Sequence, residues 1–242
     1  MHKIAFVIPW YGRGIPGGME TLTCDTAERL AQAGYPVEVL TSTIRDFYAP
    51  WDKNHHRAGT TQENGVAVRR FRVGKRDKRA FDAVNSQLMH GNLVSRAEQE
   101  VFINEMFRVP DLYRFIEQNQ ADYLFFFMGY MFPTTYFGAQ ICPENTAVVP
   151  CLHDESYARL ELYQDVLRHT KAIVFNAPAE QTLMAEIFGA PQTRQQIEQV
   201  IGMGIDDPQA PTPPAEFRQK FGLHEPFVLY VGRREPGKNT PL

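Results

Sequence analysis

A glycine-rich turn lies near the start of the chain, where the sequence from Trp10 to Gly18 is WYGRGIPGG. Three of its glycines, Gly12, Gly14 and Gly17, have the G-x-G-x-x-G spacing of dinucleotide-binding turns. Two adjacent glycines before a helix also let backbone N–H groups approach a phosphate, and the helix dipole favours that anion. A β–α turn in which the glycines serve only the backbone conformation is the third interpretation.

The dinucleotide interpretation meets two difficulties further along the sequence. Pro16 and the glycines after it delay the first helix to about Met19, whereas a dinucleotide-binding helix begins inside the motif. The second predicted strand ends at Leu40–Ser42 without an acidic residue for a ribose hydroxyl, because Glu38 lies inside the strand. Binding of NAD stays an alternative rather than the main prediction.

A histidine follows an apolar run at Ala147–Leu152, in the segment His153-Asp154-Glu155. At the carboxyl end of a parallel strand such a residue lies where ligands bind. Its ordinary pKa suits hydrogen bonding or proton transfer near neutral pH. A purely structural histidine is the alternative interpretation. We expect no metal, because His55-His56 in a polar loop has no third ligand.

Two cations near the last residue have spacing suited to a diphosphate. The apolar run that starts at Phe227 ends in Val231-Gly232-Arg233, and Lys238 follows one turn later. Arginine supplies a planar fork and lysine a point charge, and together they can neutralise a diphosphate. A basic surface loop is the simpler alternative.

Composition narrows the class of protein that carries these residues. The 242 residues are 43% apolar and 22% charged with a net charge of -3, which is typical of a globular protein and gives no reason to expect nucleic-acid binding. The three cysteines include no C-x-x-C pair, so we expect neither disulfides nor zinc, and a cytoplasmic location. No signal peptide is visible.

The elements that must position the site alternate between strand and helix. Apolar runs separated by helical patterns predict a parallel sheet covered on both faces, a doubly wound Rossmann-like α/β domain that binds ligands at the carboxyl ends of its strands. The predicted strands are Lys3–Pro9, Val37–Thr41, Val66–Val73, Tyr123–Phe127, Ala147–Leu152, Ala172–Phe175 and Ile197–Ile201. Helices are predicted from about Met19, Pro133, Tyr157 and Ala179, with a mostly helical excursion over Ser95–Gln118.

Three further segments have more than one interpretation. The uncharged stretch Tyr123–Pro143 has nearly the length of a membrane span, but its glycines, Pro133 and polar residues favour a strand, a loop and a short helix. The basic run Arg69–Arg79 suits peripheral contact with anionic lipid or a phosphate-bearing acceptor, or a solvated strand and loop. Glu20 and Glu28, spaced E-x7-E, lie about 80° apart around the first helix, and we expect them to be solvated or capping.

The proline-rich segment from Asp206 to Pro214 predicts an extended linker. We therefore divide the chain into a first domain at 1–207, a linker at 208–226 and the start of a second, truncated domain at 227–242. The second begins with the apolar run from Phe227, expected to be an orphan strand.

The chain resembles retaining glycosyltransferases of the GT-B fold, family 4. The segments that carry the resemblance, in chain order, are PGGME, AERLAQAGYPVEVLTS, LHDE, VFNAPAEQTLM, IGMGID and VGRREPGK. The resemblance implies two Rossmann-like domains, the first binding mainly the acceptor and the second mainly a nucleotide-sugar donor. The family's own E-x7-E motif lies far into the second domain and is absent here.

The resemblance also assigns residues. Gly17 and Gly18 match the loop that approaches the donor phosphates, and His153 matches the histidine at the reacting sugar. Arg233 and Lys238 match the pair that holds the diphosphate. We add, as acceptor-binding candidates, Tyr130, Asp154 and Glu155.

The implied reaction moves a sugar from a nucleotide-diphosphate-sugar to a carbohydrate or lipid-linked acceptor, as in polysaccharide biosynthesis. It needs no metal or cofactor, because fixed cations and helix N-termini stabilise the leaving phosphate. We expect this chain alone, without most of the donor domain, to transfer no sugar. The alternatives are a non-catalytic acceptor-binding module and a nucleotide-sugar epimerase or NAD-binding Rossmann enzyme.

Overall fold

The computed structural model describes residues 2–189, 196–204 and 213–231. The chain divides into two compact units, Met1–Met203 and Gly204–Leu242. The first unit contains the sheet and every described residue of the candidate site. Arg233 and Lys238 lie outside the described residues.

A single sheet of eight strands forms the centre of the first unit, in the order β3-β4-β2-β1-β5-β6-β7-β8. All neighbouring strands are parallel except β3, which pairs antiparallel with β4. The fold class predicted from the sequence, a doubly wound α/β sheet, is confirmed. The strands are β1 (Lys3–Ile8), β2 (Val37–Ser42), β3 (Gly59–Glu63), β4 (Val66–Phe71), β5 (Tyr123–Met128), β6 (Thr146–Val149), β7 (Ala172–Phe175) and β8 (Ile197–Val200).

Helices cover both faces of this sheet, as two separate clusters of buried apolar side chains show. In β1, Ala5 and Val7 belong to one cluster while Phe6 and Ile8 belong to the other, so a central strand is apolar on both sides. The helices are α1 (Gly18–Gln32), α2 (Lys78–Met89), α3 (Arg96–Met106), α4 (Pro110–Asn119), α5 (Pro133–Ala139), α6 (Gln164–Leu167), α7 (Pro178–Phe188) and, in the second unit, α8 (Pro214–Phe221).

The uncharged stretch from Tyr123 forms β5, a loop and α5, as predicted. None of the helices in the described ranges is long and apolar enough to span a bilayer.

The prediction of a helix from about Tyr157 is wrong. Two 3-10 turns, Ser156–Arg159 and Glu161–Tyr163, precede the short helix α6. Leu160 between them is extended, with φ -71° and ψ 125°. Ala158, Leu160 and Leu162 are all buried, and this period of two is incompatible with one face of a helix.

The sequence analysis missed the strand β3. Its sequence GTTQE has no apolar alternation, and four of its five residues are exposed. Asn64 and Gly65 connect β3 to β4 with φ of 49° and 83°, the positive values of a two-residue type I′ hairpin turn. The Asn-Gly pair was the signal for this hairpin.

The basic run Arg69–Arg79 is not a uniformly exposed surface. Arg69 donates to the buried carboxylate of Glu38 at 2.7 Å. Arg70 is buried, and Arg76 donates to the carbonyl of Met106 at 2.7 Å. These three side chains therefore stabilise the fold, while Arg72, Lys75, Lys78 and Arg79 remain exposed.

The predicted linker at 208–226 contains α8 (Pro214–Phe221), which is followed by Gly222 in the left-handed conformation. The expectation of an orphan strand at Phe227 to Gly232 stays a prediction: Phe227–Val231 pair with no strand in the described part of the chain, and Gly232 lies outside it. A strand exists through hydrogen bonds to a neighbour, and the described part of this unit offers none.

Candidate functional site

The order in which the chain adds strands to the sheet reverses between β1 and β5. From β1 the chain adds β2 and β4 on one side, and then returns to add β5 to β8 on the other. The loops after β1 and β5 separate at such a point and leave a crevice at the carboxyl ends of the strands. After β5, Gly129 has φ +81°, and a Cβ there would lie 2.7 Å from Met19 Sδ. The crevice is thus closely packed at its base.

The glycine-rich turn ends at α1 with an unusual backbone conformation. Gly17, the N-cap, has φ 157° and ψ 147°, a region that is essentially restricted to glycine. A Cβ on Gly17 would lie 1.9 Å from Glu20 Oε2, so the side chain of Glu20 folds back over this glycine. Gly18 opens the helix, one residue earlier than predicted.

Glu20 itself is buried rather than solvated, which corrects the sequence-based expectation. It accepts a hydrogen bond from the indole Nε1–H of Trp10 at 2.6 Å, and Trp10 is 1% exposed. The hydrogen bond joins Trp10, the second residue after β1, to the first turn of α1.

A second buried carboxylate, Glu180, holds the segment that contains His153. Its Oε1 accepts from the backbone N–H of Leu152 at 2.7 Å, and its Oε2 accepts from that of Asn176 at 2.6 Å. Glu180 occupies the first turn of α7 after Pro178. One carboxylate therefore connects the loop after β6 to the loop after β7.

These elements enclose a cavity of about 430 Å³. The first turn of α1 from Gly18, the segment Cys151–Asp154 and the first turn of α7 contribute to its lining. Two helix N-termini thus border one space, together with His153. The helix N-termini favour an anion, the carboxylates of Asp154 and Glu180 in the lining oppose one, and His153 supplies a hydrogen-bonding group.

His153 is exposed and lines this cavity. Within the described ranges it forms no hydrogen bond or ion pair, so both ring nitrogens are available to a ligand. Asp154 also lines the cavity and forms an ion pair with Arg159 at 2.6 Å.

The other sequence-predicted residues lie differently. Tyr130 is 3% exposed, and its hydroxyl donates to Glu155 at 2.8 Å. Burial and the Glu155 carboxylate raise the pKa of Tyr130 well above its usual value. The two side chains are thus engaged with one another next to the cavity. Arg233 and Lys238 lie outside the described residues.

The electrostatics of the cavity exclude a thiolate nucleophile. Burial and the nearby Glu180 raise the pKa of the Cys151 thiol to about 12, so it stays protonated at neutral pH. Cys151 has φ +53°.

The described lining contains no lysine or arginine. A phosphate bound here would need cations from other parts of the protein.

Glu180, Glu20 and Trp10 were not identified as site residues from the sequence. Both glutamates are the third residue of a helix, Glu180 two residues after Pro178 and Glu20 two after Gly18. An acid in a first helical turn was the available signal. The N–H groups that donate to such a carboxylate cannot be read from the sequence, because the strand order of the sheet brings distant loops together.

Glu38, which lies inside the second predicted strand and was not expected to hold a ribose, is engaged within the sheet. Glu38 is 4% exposed, binds Arg69, and accepts from the hydroxyl of Tyr123 at 2.6 Å. It therefore stabilises the sheet and is not free to bind a ribose. Among the described residues, no three His, Cys, Asp or Glu side chains come together as metal ligands.

No protein-family profile matches the chain, and no curated protein matches it either. Similar solved structures exist. Trehalose-6-phosphate synthase from E. coli, bound with UDP-2-fluoro glucose, aligns with a TM-score of 0.51 at 12% identity, over 91% of this chain and 54% of that one. A further trehalose-6-phosphate synthase structure, OtsA, aligns with a TM-score of 0.53 at 12% identity, over 91% and 55%.

These neighbours are glycosyltransferases of the GT-B fold. At 12% identity the likeness shows a shared fold. The chain spans about half the length of the enzymes it matches.

Proposed function

We propose that this chain supplies mainly the acceptor-binding half of a retaining glycosyltransferase that uses a nucleotide-diphosphate-sugar donor. One observation carries the proposal: the cavity where the first turn of α1 meets His153, in a fold that spans half of an enzyme bound to a nucleotide sugar. The family 4 resemblance and a role in polysaccharide biosynthesis belong to the same proposal.

The first turn of α1 would receive the donor phosphates. Gly17 and Gly18 leave backbone N–H groups accessible there, and the 15-residue helix adds its dipole. Because the described lining lacks lysine and arginine, Arg233 and Lys238 would neutralise the diphosphate. Charge grows on that group as the glycosidic bond breaks, so fixed cations stabilise the transition state more than the ground state.

His153 would hold the donor sugar or the acceptor nucleophile by hydrogen bonds. The carboxylates at the cavity do not suit a covalent double displacement, because that role needs a free carboxylate facing the sugar. Of the two carboxylates in the described lining, Glu180 is bound by two backbone N–H groups and Asp154 pairs with Arg159. The proposed reaction therefore uses no covalent intermediate on these carboxylates. It needs no metal or cofactor if fixed cations and helix N-termini stabilise the leaving phosphate.

The test is a thermal-shift panel on the full-length protein with UDP-glucose, UDP-N-acetylglucosamine, GDP-mannose and NAD. A ligand that binds only the folded state raises the melting temperature by mass action. A shift with one nucleotide sugar supports the proposal. A shift with NAD alone indicates a Rossmann enzyme of another class.

A product assay completes the test. The anomeric configuration of the product, read by NMR, must be that of the donor. Inversion contradicts the retaining mechanism. Acceptor binding without any turnover indicates a non-catalytic module.

A further inference from the structure

A second cavity, of about 720 Å³, lies between the glycine-rich turn and the hairpin β3–β4. Its described lining differs in charge from that of the first cavity. Four arginines and His56 line it against a single carboxylate, Glu63, and the arginines are Arg13, Arg45, Arg57 and Arg70. Nothing in the proposed function so far uses this space.

Arg70 is a fixed part of the wall. Its guanidinium is 7% exposed and donates through Nη1 to Glu63 at 2.6 Å and through Nη2 to the Tyr11 carbonyl at 3.1 Å. Its Nε is buried without a hydrogen-bond partner in the described part of the chain. A guanidinium held this way presents its charge without ordering a flexible side chain, which lowers the cost of binding.

Arg57 differs from its neighbours because its charge is not compensated. Arg13 forms ion pairs with Asp25 and Glu28 of α1, and Arg45 pairs with Asp46. Arg57 is exposed, and within the described ranges it forms no hydrogen bond or ion pair. The cavity lining thus contains one exposed, uncompensated guanidinium and one that is buried and paired.

The neighbouring histidine, His56, interacts with the same charged side chains. His56 is half-buried beside Arg57, and burial, Arg70 and His55 lower its pKa, while Glu63 opposes this. Arg70 disfavours a positive charge on the imidazole, and the described lining sets four arginines against one carboxylate.

The two cavities share the glycine-rich turn. Ile15 lines the second cavity and Gly18 lines the first. Three steps of 3.8 Å place their Cα atoms at most about 11 Å apart. The parts of the two linings that this turn forms are therefore close together.

We propose that the second cavity binds a phosphate or carboxylate group of a small molecule, through Arg57 and Arg70. The proposal of this anion-binding site does not depend on the proposed function. Resting on the proposed function, we further assign the cavity to the acceptor, which is then an anionic sugar rather than a neutral one.

The experiment titrates the 242-residue chain with inorganic phosphate, glucose 6-phosphate, glucuronate and glucose, followed by NMR of the His56 ring and by calorimetry. Bound anions stabilise the imidazolium, so they raise the pKa of His56. Arg57→Ala weakens anion binding about tenfold, the effect of one charged hydrogen bond. Arg72→Ala is the matched control, an exposed arginine outside the cavity lining.

Each outcome decides the proposal. The proposal is supported if glucose 6-phosphate or glucuronate binds and only Arg57→Ala weakens that binding. Tighter binding of glucose 6-phosphate identifies phosphate as the preferred group, and tighter binding of glucuronate identifies carboxylate. Equal weakening in Arg72→Ala, or binding of neither anion, overturns it. Nucleotide-sugar binding by the full-length protein is measured separately. Failure there contradicts the proposed function and the acceptor assignment, and leaves the anion site standing.

Discussion

The carboxylate of Glu180 accepts a hydrogen bond from the backbone N–H of Leu152 at 2.7 Å, across 28 residues of sequence. With its other oxygen it binds the N–H of Asn176 at 2.6 Å. The position of the loop that contains His153 therefore depends on a side chain of α7. His153 follows Leu152 directly, so any shift of that N–H moves the histidine.

Removal of this carboxylate should destabilise the protein. Glu180→Ala leaves the N–H groups of Leu152 and Asn176 without acceptors, at about 1–3 kcal/mol each. Urea unfolding should show a loss of about 2–4 kcal/mol. Glu186→Ala is the control, because Glu186 is exposed on the same helix, and its loss should stay within about 0.5 kcal/mol. Equal losses in the two variants would show that Glu180 has no special role.

Gly17 should tolerate no side chain, in contrast to its neighbour. Gly17→Ala puts a Cβ 1.9 Å from Glu20 Oε2, in a backbone region costing about 1–3 kcal/mol for other residues. Glu20 must move, and its hydrogen bond to Trp10 breaks, so tryptophan fluorescence should change along with the melting temperature. Gly18→Ala meets nothing within 4 Å, and alanine stabilises a helix by up to about 1 kcal/mol relative to glycine. Unchanged fluorescence in Gly17→Ala would refute this account.

The strands were predictable because both faces of a central parallel strand are apolar. Continuous apolar runs such as Tyr123–Met128 therefore predict these strands. The hairpin strand β3 was not, since GTTQE lies at a sheet edge and buries little. Its signal was the turn Asn64-Gly65 rather than any hydrophobic period.

The site was predictable only in its exposed parts. His153 and the glycine-rich turn follow strands, and the rule that ligands bind at carboxyl ends identifies them. Glu180 and Arg70 act through partners 28 and 59 residues away in sequence. Those partners meet only once the strand order is known, so one-dimensional spacing could not indicate them.

Cys151 should make stability fall at high pH. Its thiol pKa is raised to about 12 in the folded state, against about 8.5 when unfolded. Above pH 8.5 the unfolded state loses this proton first, so the free energy of unfolding decreases as pH rises, by up to about 1.4 kcal/mol per pH unit. Unfolding of wild type and Cys151→Ala is compared between pH 7 and 10.5. The difference between them should change steadily above pH 8.5, and a constant difference would contradict the raised pKa.

His153 is the residue on which the proposed catalysis depends most. Its side chain is exposed in the first cavity and without a partner in the described part of the chain. Removing it therefore leaves no buried group unsatisfied, and His153→Ala should unfold at the wild-type urea concentration. Turnover by the full-length enzyme should fall roughly 10²-fold, because a hydrogen bond made in the transition state is lost.

The control for this variant is His169→Ala. His169 is exposed and its Nδ1 contacts the Asp165 carbonyl at 2.7 Å, away from the first cavity. Nucleotide-sugar affinity by calorimetry should be nearly the same in wild type and both variants, since the proposed function assigns the phosphates to α1 rather than to the histidine. A lost contact that acts only in the transition state lowers kcat and kcat/KM equally, whereas a ground-state contact raises KM. Near wild-type turnover in His153→Ala would make this histidine a surface residue and remove the chemical basis of the proposed site.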